Sequence, residues 1–179
     1  MTDLDSPPRS RHPGLIGFRI SASESAGVDW SRLDETWALA GESAALDAGW
    51  LSDHLSDAAR ERGGPAVESL TAAATLARRV PGRWIGIAVL SGTFRHPALV
   101  AKAATVLDAA TGGRFILGLG AGWHAGEHEA FGIPLPPIVQ RFDRFERSVR
   151  AIAAILSDAP DGLGDVIREV AEPLRASFG

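Results

Sequence analysis

The chain contains no cysteine among its 179 residues. This absence excludes disulfide bonds, thiolate metal sites and a cysteine nucleophile, and it is typical of a cytoplasmic protein, which is the location we expect. Long apolar runs are also missing, since no stretch approaches the roughly 20 apolar residues of a membrane-spanning helix. Residues 1–14 are polar and proline-rich and lack the apolar centre of a signal peptide, so we interpret them as a disordered tail.

Positive charge is scarce as well. The formal net charge is -4 at pH 7, and the 18 lysines and arginines form no cluster of the kind that binds nucleic acid or a membrane surface. We therefore expect neither nucleic acid nor a membrane as a partner. Hydrophobic residues make up 45% of the chain, which is enough for one domain with a substantial core.

Short apolar runs alternate with segments of helical periodicity along the chain. The apolar runs are typical of buried strands and lie at residues 15–20, 50–52, 84–90 and 115–119. The helical segments lie at residues 30–48, 66–79, 97–110 and 138–156. This alternation predicts βαβ units, a parallel sheet and the α/β class. Gly49 is expected to end the first helix, and Pro97 is expected to open the third.

A glycine-rich segment follows the fourth predicted strand. Starting at Gly120, the chain satisfies G-x-G-x-x-A, a dinucleotide-binding pattern. That pattern belongs after a first strand and before a long helix, whereas this copy follows the fourth strand and is succeeded by several prolines. The favoured interpretation is that these glycines let the backbone approach a ligand, or merely form a tight turn.

The segment that begins at His124 and ends with Glu127 and His128 matches H-x-x-E-H, the pattern of inverted zinc proteases. A zinc site would need both histidines on one helical face and a third ligand. Gly126 weakens a helix here, and no third ligand stands out. The favoured interpretation is a solvated helical turn, and no metal is expected.

Polar residues follow the second and third predicted strands. Asp53 and His54 come directly after the second strand, and the carboxyl ends of parallel strands face the ligand in such folds. The unperturbed pKa of histidine lies near neutrality, so His54 is a candidate for proton transfer; the alternative is an ordinary loop histidine. Phe94 and Arg95 either line the same mouth or only form the start of the third helix.

Four stretches taken together resemble the luciferase-like monooxygenase family, particularly its deazaflavin-dependent branch. They are AGWLSDHL, VLSGTFRHPALVAKAATVLD, GGRFILGLGAGW and EHEAFGIPLPPIVQRFDRFE, at residues 48–55, 89–108, 112–123 and 127–146. They occur in the family's order and spacing, and the resemblance covers residues 15–157. The set is specific, although no single stretch would be.

The resemblance implies a (β/α)8 barrel with a flavin or deazaflavin at the mouth formed by the carboxyl ends of the strands. By position, His54 corresponds to the family's active-site histidine, which donates or accepts a proton near the cofactor ring. The bond between Ala88 and Val89 falls where the family has a non-prolyl cis peptide behind that ring. The resemblance implies that the cofactor-binding residues are Asp53, Ala88, Val89, Ser91, Gly120, Ala121 and Gly122.

The family's chemistry is hydride transfer between a reduced cofactor and an organic substrate. The GLGAGW and FGIPLPP segments are similar to the deazaflavin branch, so coenzyme F-420 is the expected cofactor and FMN is the alternative. One position departs from the family pattern. The members that oxidise sugar phosphates have a glutamate where this chain has Trp123, so a sugar phosphate is not the expected substrate.

A complete barrel of this kind takes about 250 residues, whereas the four βα units of this chain, at residues 15–157, form only an N-terminal half. Residues 165–179 are similar to the family's terminal helix, and a short junction at residues 158–164 precedes them. We therefore hypothesise an internal deletion of strands five to eight. Two copies could then pair as a homodimer through the open barrel edge. The alternative function is a catalytically inactive homologue or an interaction module that pairs with itself or a full-length relative.

Overall fold

The structure, a computed structural model, describes residues 17–19, 30–56 and 66–157. The strands are β1 (Gly17–Arg19), β2 (Ala48–Leu51), β3 (Trp84–Ser91) and β4 (Phe115–Gly120). The helices are α1 (Trp30–Glu42), α2 (Ser69–Leu76), α3 (Pro97–Thr111), α4 (Ala125–Ala130) and α5 (Ile138–Ser157), and a 3₁₀ turn at Ala77–Arg79 extends α2.

The four strands form one sheet in the order β1-β2-β3-β4, and every neighbouring pair is parallel. Helices connect successive strands, so strands that are adjacent in sequence are also adjacent in space. The predicted α/β class is therefore confirmed, and the arrangement is that of a partial barrel. Within the described residues, no helix is both long enough and apolar enough to cross a membrane.

The hydrophobic core fills the space between the helices and the outer face of the sheet. Alternate strand residues point into it, because successive side chains of a strand face opposite sides. The largest fully buried apolar side chains are Trp37, Leu51, Leu76, Ile85, Ile87, Leu90, Phe115, Ile152 and Leu156. Burial of each such aliphatic side chain stabilises the fold by roughly 1.5–3 kcal/mol, so this layer fixes the helices against the sheet.

The inner face of the sheet has a different composition, since glycines of neighbouring strands make room there for a few larger side chains. Trp50 of β2 lies across Gly17 of β1 and Gly86 of β3. A Cβ atom added at Gly86 would lie 2.4 Å from the indole ring, and one added at Gly17 would lie 2.5 Å from its nitrogen. The two glycines are therefore needed for the close approach of Trp50 to the backbone.

The prediction for the end of the first helix is wrong. The helix was expected to continue to residue 48 and to stop at Gly49, but α1 ends at Glu42, and Gly49 pairs with neighbouring strands inside β2. The reason is strand pairing, because β2, which begins at Ala48, is hydrogen-bonded to both β1 and β3. Tertiary contact thus ends a helix that the periodicity of the alanines would extend.

Several predictions concern segments outside the described residues. These are the N-terminal tail at residues 1–14, the junction at residues 158–164 and the terminal helix at residues 165–179. The hypothesis of an internal deletion depends on the last two segments and stays a prediction.

Replacing Gly86 with alanine should lower the free energy of unfolding by about 1–3 kcal/mol, because the new methyl group would overlap the Trp50 ring. Without that contact, a glycine-to-alanine change is neutral or stabilising, since it reduces the entropy of the unfolded chain. Urea unfolding of Gly86→Ala should therefore show a loss in the wild-type background and none in a Trp50→Leu background. An equal loss in both backgrounds would contradict the proposed overlap.

Candidate active site

The carboxyl ends of β2, β3 and β4 converge on one cavity of about 380 Å³. All eight residues that the sequence singled out line it: Asp53, His54, Ala88, Val89, Ser91, Gly120, Ala121 and Gly122. Six further residues complete the lining: Ser52, Phe94, Trp123, His124, Glu127 and His128. The cavity lies within the range of roughly 300–1,000 Å³ that is typical of small-molecule sites.

A buried ion pair stands behind the cavity wall. The carboxylate of Asp53 accepts two hydrogen bonds from the guanidinium of Arg95, both at 2.7 Å. It also accepts hydrogen bonds from the hydroxyl of Ser69 at 2.6 Å and from the backbone N–H of Ser91 at 2.8 Å. Both oxygens of Asp53 are thus engaged by the protein, so the side chain holds three chain segments together at the cavity.

Glu68 gives Arg95 a second anionic partner. Its carboxylate caps α2 by accepting from the backbone N–H of Thr71 at 2.7 Å, and it also pairs with Arg95. Burial raises the pKa of Glu68, but the hydrogen bonds from Thr71 and the charge of Arg95 outweigh burial and hold this pKa below its usual value. Burial lowers the pKa of Arg95, yet the hydrogen bonds and charge of Asp53 hold it above its usual value.

Of the two alternatives for the residues that precede α3, the first holds for Phe94 and neither holds for Arg95. Phe94 lines the cavity, whereas Arg95 lies behind the wall and pairs with Asp53. The guanidinium fork can donate two parallel hydrogen bonds to one carboxylate, which a lysine could not do. Sequence alone did not indicate this partner, because 42 residues separate Asp53 from Arg95.

His54 is held by a carboxylate from α4. Its Nδ1 lies 3.0 Å from Oε2 of Glu127, a side chain that is 1% exposed. The other oxygen, Oε1, accepts from the backbone N–H groups of Leu55 and Ser56 at 2.8 and 3.0 Å. With Glu127 ionised, Nδ1 of His54 must carry the proton, so Nε2 is the nitrogen that is left for a ligand in the cavity.

The segment from His124 to His128 forms the predicted helical turn, as part of α4, but the prediction that it is solvated is wrong for two of its residues. Glu127 and His128 are both buried, because α4 folds back onto the loops after β2 and β3. His124 precedes α4 and caps it by accepting from the backbone N–H of Glu127 at 3.1 Å. The described residues contain no group of side chains arranged to hold a metal ion.

Glycines on the β4 side of the cavity let neighbouring side chains pack closely against the backbone. Val89 of β3 packs on Gly120, and a Cβ atom there would lie 2.8 Å from one of its methyl groups. Gly122 has φ +80, a conformation that glycine adopts readily, and a Cβ atom there would lie 2.6 Å from the hydroxyl oxygen of Thr93. Val89 is nevertheless 53% exposed, so it presents an apolar surface to the cavity that it lines.

The peptide bond between Ala88 and Val89 is cis, at the position that the resemblance implied. The register between β3 and β4 changes at the same place, where three steps along β3, from Ile87 to Leu90, match two steps along β4. One extra residue of β3 is thus accommodated at the cavity wall, as in a β-bulge.

Aromatic rings surround His54 at the mouth of the cavity. The ring of Trp123 lies edge-on to it at 6.1 Å between centroids, and the ring of His124 lies edge-on at 6.3 Å. Trp123 is 68% exposed, although it is a large apolar side chain. An exposed indole beside a polar cavity is suited to contact a bound ring from the solvent side.

The comparisons with known proteins agree on one family. A family model described as luciferase-like monooxygenase matches residues 14–175. The F420-dependent glucose-6-phosphate dehydrogenase of Amycolatopsis mediterranei (strain U-32) is 32% identical over 152 residues, which is 84% of this chain and 44% of that relative. The protein of the same name from Mycolicibacterium smegmatis (strain ATCC 700084 / mc(2)155) is 31% identical over 156 residues, 86% of this chain and 45% of the relative. The chain thus spans less than half the length of these curated relatives.

Solved structures show the same fold. An F420-dependent secondary alcohol dehydrogenase in complex with an F420-acetone adduct aligns with a TM-score of 0.66 and 19% identity, over 82% of this chain and 42% of that one. The oxygenating constituent of 3,6-diketocamphane monooxygenase from Pseudomonas putida, in complex with FMN, aligns with a TM-score of 0.62 and 16% identity, over 79% and 39%.

Replacing Arg95 with methionine should lower the free energy of unfolding by about 3 kcal/mol or more, because the buried carboxylate of Asp53 would lose its charged partner. The control is Arg79→Met, which removes a bidentate partner from Asp34 near the surface and should cost far less. Urea unfolding of both variants gives the comparison. Equal costs would contradict the structural role assigned to the buried pair.

Replacing Glu127 with glutamine should change the tautomer of His54. The amide oxygen would continue to accept from the backbone, so the amide N–H₂ would face Nδ1 and force that nitrogen to accept. Nitrogen-15 NMR of labelled histidine should therefore report the proton on Nδ1 in the wild type and on Nε2 in Glu127→Gln. Glu129→Gln, on the exposed side of α4, is the control and should leave His54 unchanged. A wild-type proton on Nε2 would refute the assignment.

Proposed function

The chain belongs to the luciferase-like monooxygenase family, and on this basis we propose that its cavity binds a deazaflavin or flavin cofactor for hydride transfer to or from an organic substrate. Coenzyme F-420 is the favoured cofactor, because curated relatives at 31% and 32% identity are named as F420-dependent. FMN is the alternative, since a structure with the same fold holds FMN.

The observation that carries this proposal is a polar group and an apolar surface that line the same cavity. His54, fixed by Glu127, lines it together with Val89 and the glycine-containing backbone of residues 120–122. Val89 packs on Gly120 and is still 53% exposed, so it offers an apolar surface to a planar ring. The residues present therefore fit a tricyclic cofactor ring.

The bound cofactor would supply the hydride chemistry, and the chain would supply orientation and proton transfer. His54 would donate or accept a proton at Nε2, because Nδ1 is bonded to Glu127. Ala88, Val89 and the backbone of residues 120–122 would support the ring. Asp53 would position His54 and Ser91 and not touch the cofactor directly, since its oxygens are bonded to Arg95, Ser69 and the Ser91 N–H.

The substrate of the glucose-6-phosphate dehydrogenases is not carried over to this chain. Trp123 stands where the sugar-phosphate-oxidising members, by the resemblance, have a glutamate. An indole offers one N–H donor and cannot act as a general acid or base, so the chemistry of that carboxylate is missing. The substrate class that we propose is an organic alcohol or carbonyl compound, because such compounds donate or accept a hydride.

The assembly that we propose is a homodimer. Within the described residues, β1 and β4 each pair with only one strand, and the inner face of the sheet forms a single wall of the cavity. Two copies related by a twofold axis could place β4 of each copy beside β1 of the other and so close both edges. A dimer would also enclose a bound ring from two sides.

Purified protein should bind FMN or coenzyme F-420 saturably at micromolar concentration, and light scattering should give twice the 18.8 kDa mass of one chain. Gly120→Val should weaken binding roughly tenfold, because its side chain would push Val89 into the cavity. Gly132→Asn is the matched control: Gly132 has φ +64, which asparagine tolerates, and it does not line the cavity.

The opposite outcome is equally informative. A monomer that binds neither cofactor would overturn the proposed function and leave the alternative, an inactive homologue or interaction module. Binding that is unaffected by Gly120→Val would instead place the cofactor outside this cavity.

A further inference from the structure

A chain of hydrogen bonds leads from the buried imidazole of His128 to the cavity wall. Nδ1 of His128 lies 2.7 Å from the carbonyl oxygen of His124, and Nε2 lies 2.7 Å from the hydroxyl of Thr93. That hydroxyl lies 2.8 Å from the hydroxyl of Ser91, which lines the cavity. His128 is 2% exposed, and Phe94 covers its ring at 4.9 Å between centroids.

The direction of each of these hydrogen bonds follows from the one between His128 and the carbonyl oxygen of His124. A carbonyl oxygen only accepts, so Nδ1 of His128 carries the proton, and Nε2 of a neutral imidazole then accepts. The Thr93 hydroxyl must donate to Nε2, and its oxygen is left to accept from the hydroxyl of Ser91. The proton of Ser91 is thereby directed away from the cavity.

Two features keep Ser91 fixed and accessible. Its backbone N–H donates to Asp53 at 2.8 Å, so the residue is anchored to the buried ion pair. Gly122 lies over the two hydroxyls, and a Cβ atom there would come within 2.6 Å of the Thr93 oxygen and 3.0 Å of the Ser91 oxygen. Ser91 is only partly buried and lines the cavity, so a ligand there can reach its hydroxyl group.

We propose that His128 and Thr93 are positioning residues that make Ser91 a hydrogen-bond acceptor, so that this wall selects a ligand carrying an N–H or O–H donor. The inference rests on the proposed function for the identity of the ligand. Flavin and deazaflavin rings both have such a donor, the N–H between the two carbonyl groups of the pyrimidine ring. Neither Thr93 nor His128 needs to touch the ligand for this selection.

The first test is spectroscopic and needs no ligand. Nitrogen-15 NMR of the full chain with labelled histidine, assigned by comparison with His128→Gln, should show that His128 carries a single ring proton, on Nδ1. A proton on Nε2, or on both nitrogens, would reverse the direction of the hydrogen bonds from His128 to Ser91 and overturn the proposal.

The second test is a double-mutant cycle on binding of FMN and of coenzyme F-420. Thr93→Val should weaken binding about two- to tenfold, the effect of one hydrogen bond, and Thr93→Ser should restore it. In a Ser91→Ala background, Thr93→Val should have no further effect, because the acceptor is already missing. An equal loss in both backgrounds would mean that Thr93 is only structural, and it would refute the proposal.

Failure of the proposed function is distinguishable from failure of this inference. A wild-type chain that binds neither cofactor overturns the proposed function and the ligand assignment together. A chain that binds one of them, but whose His128 carries its proton on Nε2, overturns the hydrogen-bond direction alone.

Discussion

The ion pair between Asp53 and Arg95 is the interaction on which the geometry of the cavity depends. Removing two charges from water is costly, and the cost is offset only when geometry and further hydrogen bonds are good. Asp53 meets this condition with four hydrogen bonds, from Arg95, Ser69 and Ser91. These donors come from the start of α2 and from the end of β3 and the residues after it, so one carboxylate fixes the ends of β2 and β3 and the start of α2 relative to each other.

Two networks reach the cavity from this pair. On one side, His54 follows Asp53 directly in the chain, and Glu127 fixes its ring. On the other side, the Ser91 backbone is bonded to Asp53, and its hydroxyl continues to His128 through Thr93. Glu127 and His128 are neighbours on α4, so this six-residue helix supplies the last member of both networks. The position of α4 is therefore as important for the cavity as the strand ends.

Sequence periodicity predicted the strands and most helices because residues that are buried in the core recur as apolar residues at regular spacing along the sequence. Pro97 opens α3 as expected, and the cis bond before Val89 stands where the resemblance placed it. Contacts between distant segments produce no such regular spacing. The end of α1 depends on the pairing of β2 with β1 and β3, and the burial of Glu127 depends on backbone N–H groups after β2. The charge of Glu127 suggested that its side chain is exposed to solvent. Its hydrogen-bond partners, which bury it, are 71 to 73 residues away in the chain.

The polar groups of the cavity form a local arrangement within the described residues. The side chains that hold His54 and Ser91 there lie between β2 and α4, within a chain that spans 44% and 45% of two longer relatives. The described lining of the cavity comes from the ends of β2, β3 and β4 and from α4. Small-molecule sites typically bury most of the ligand surface, about 70–90%. The twofold partner proposed above would add a further surface to this lining without any change in the networks around Asp53.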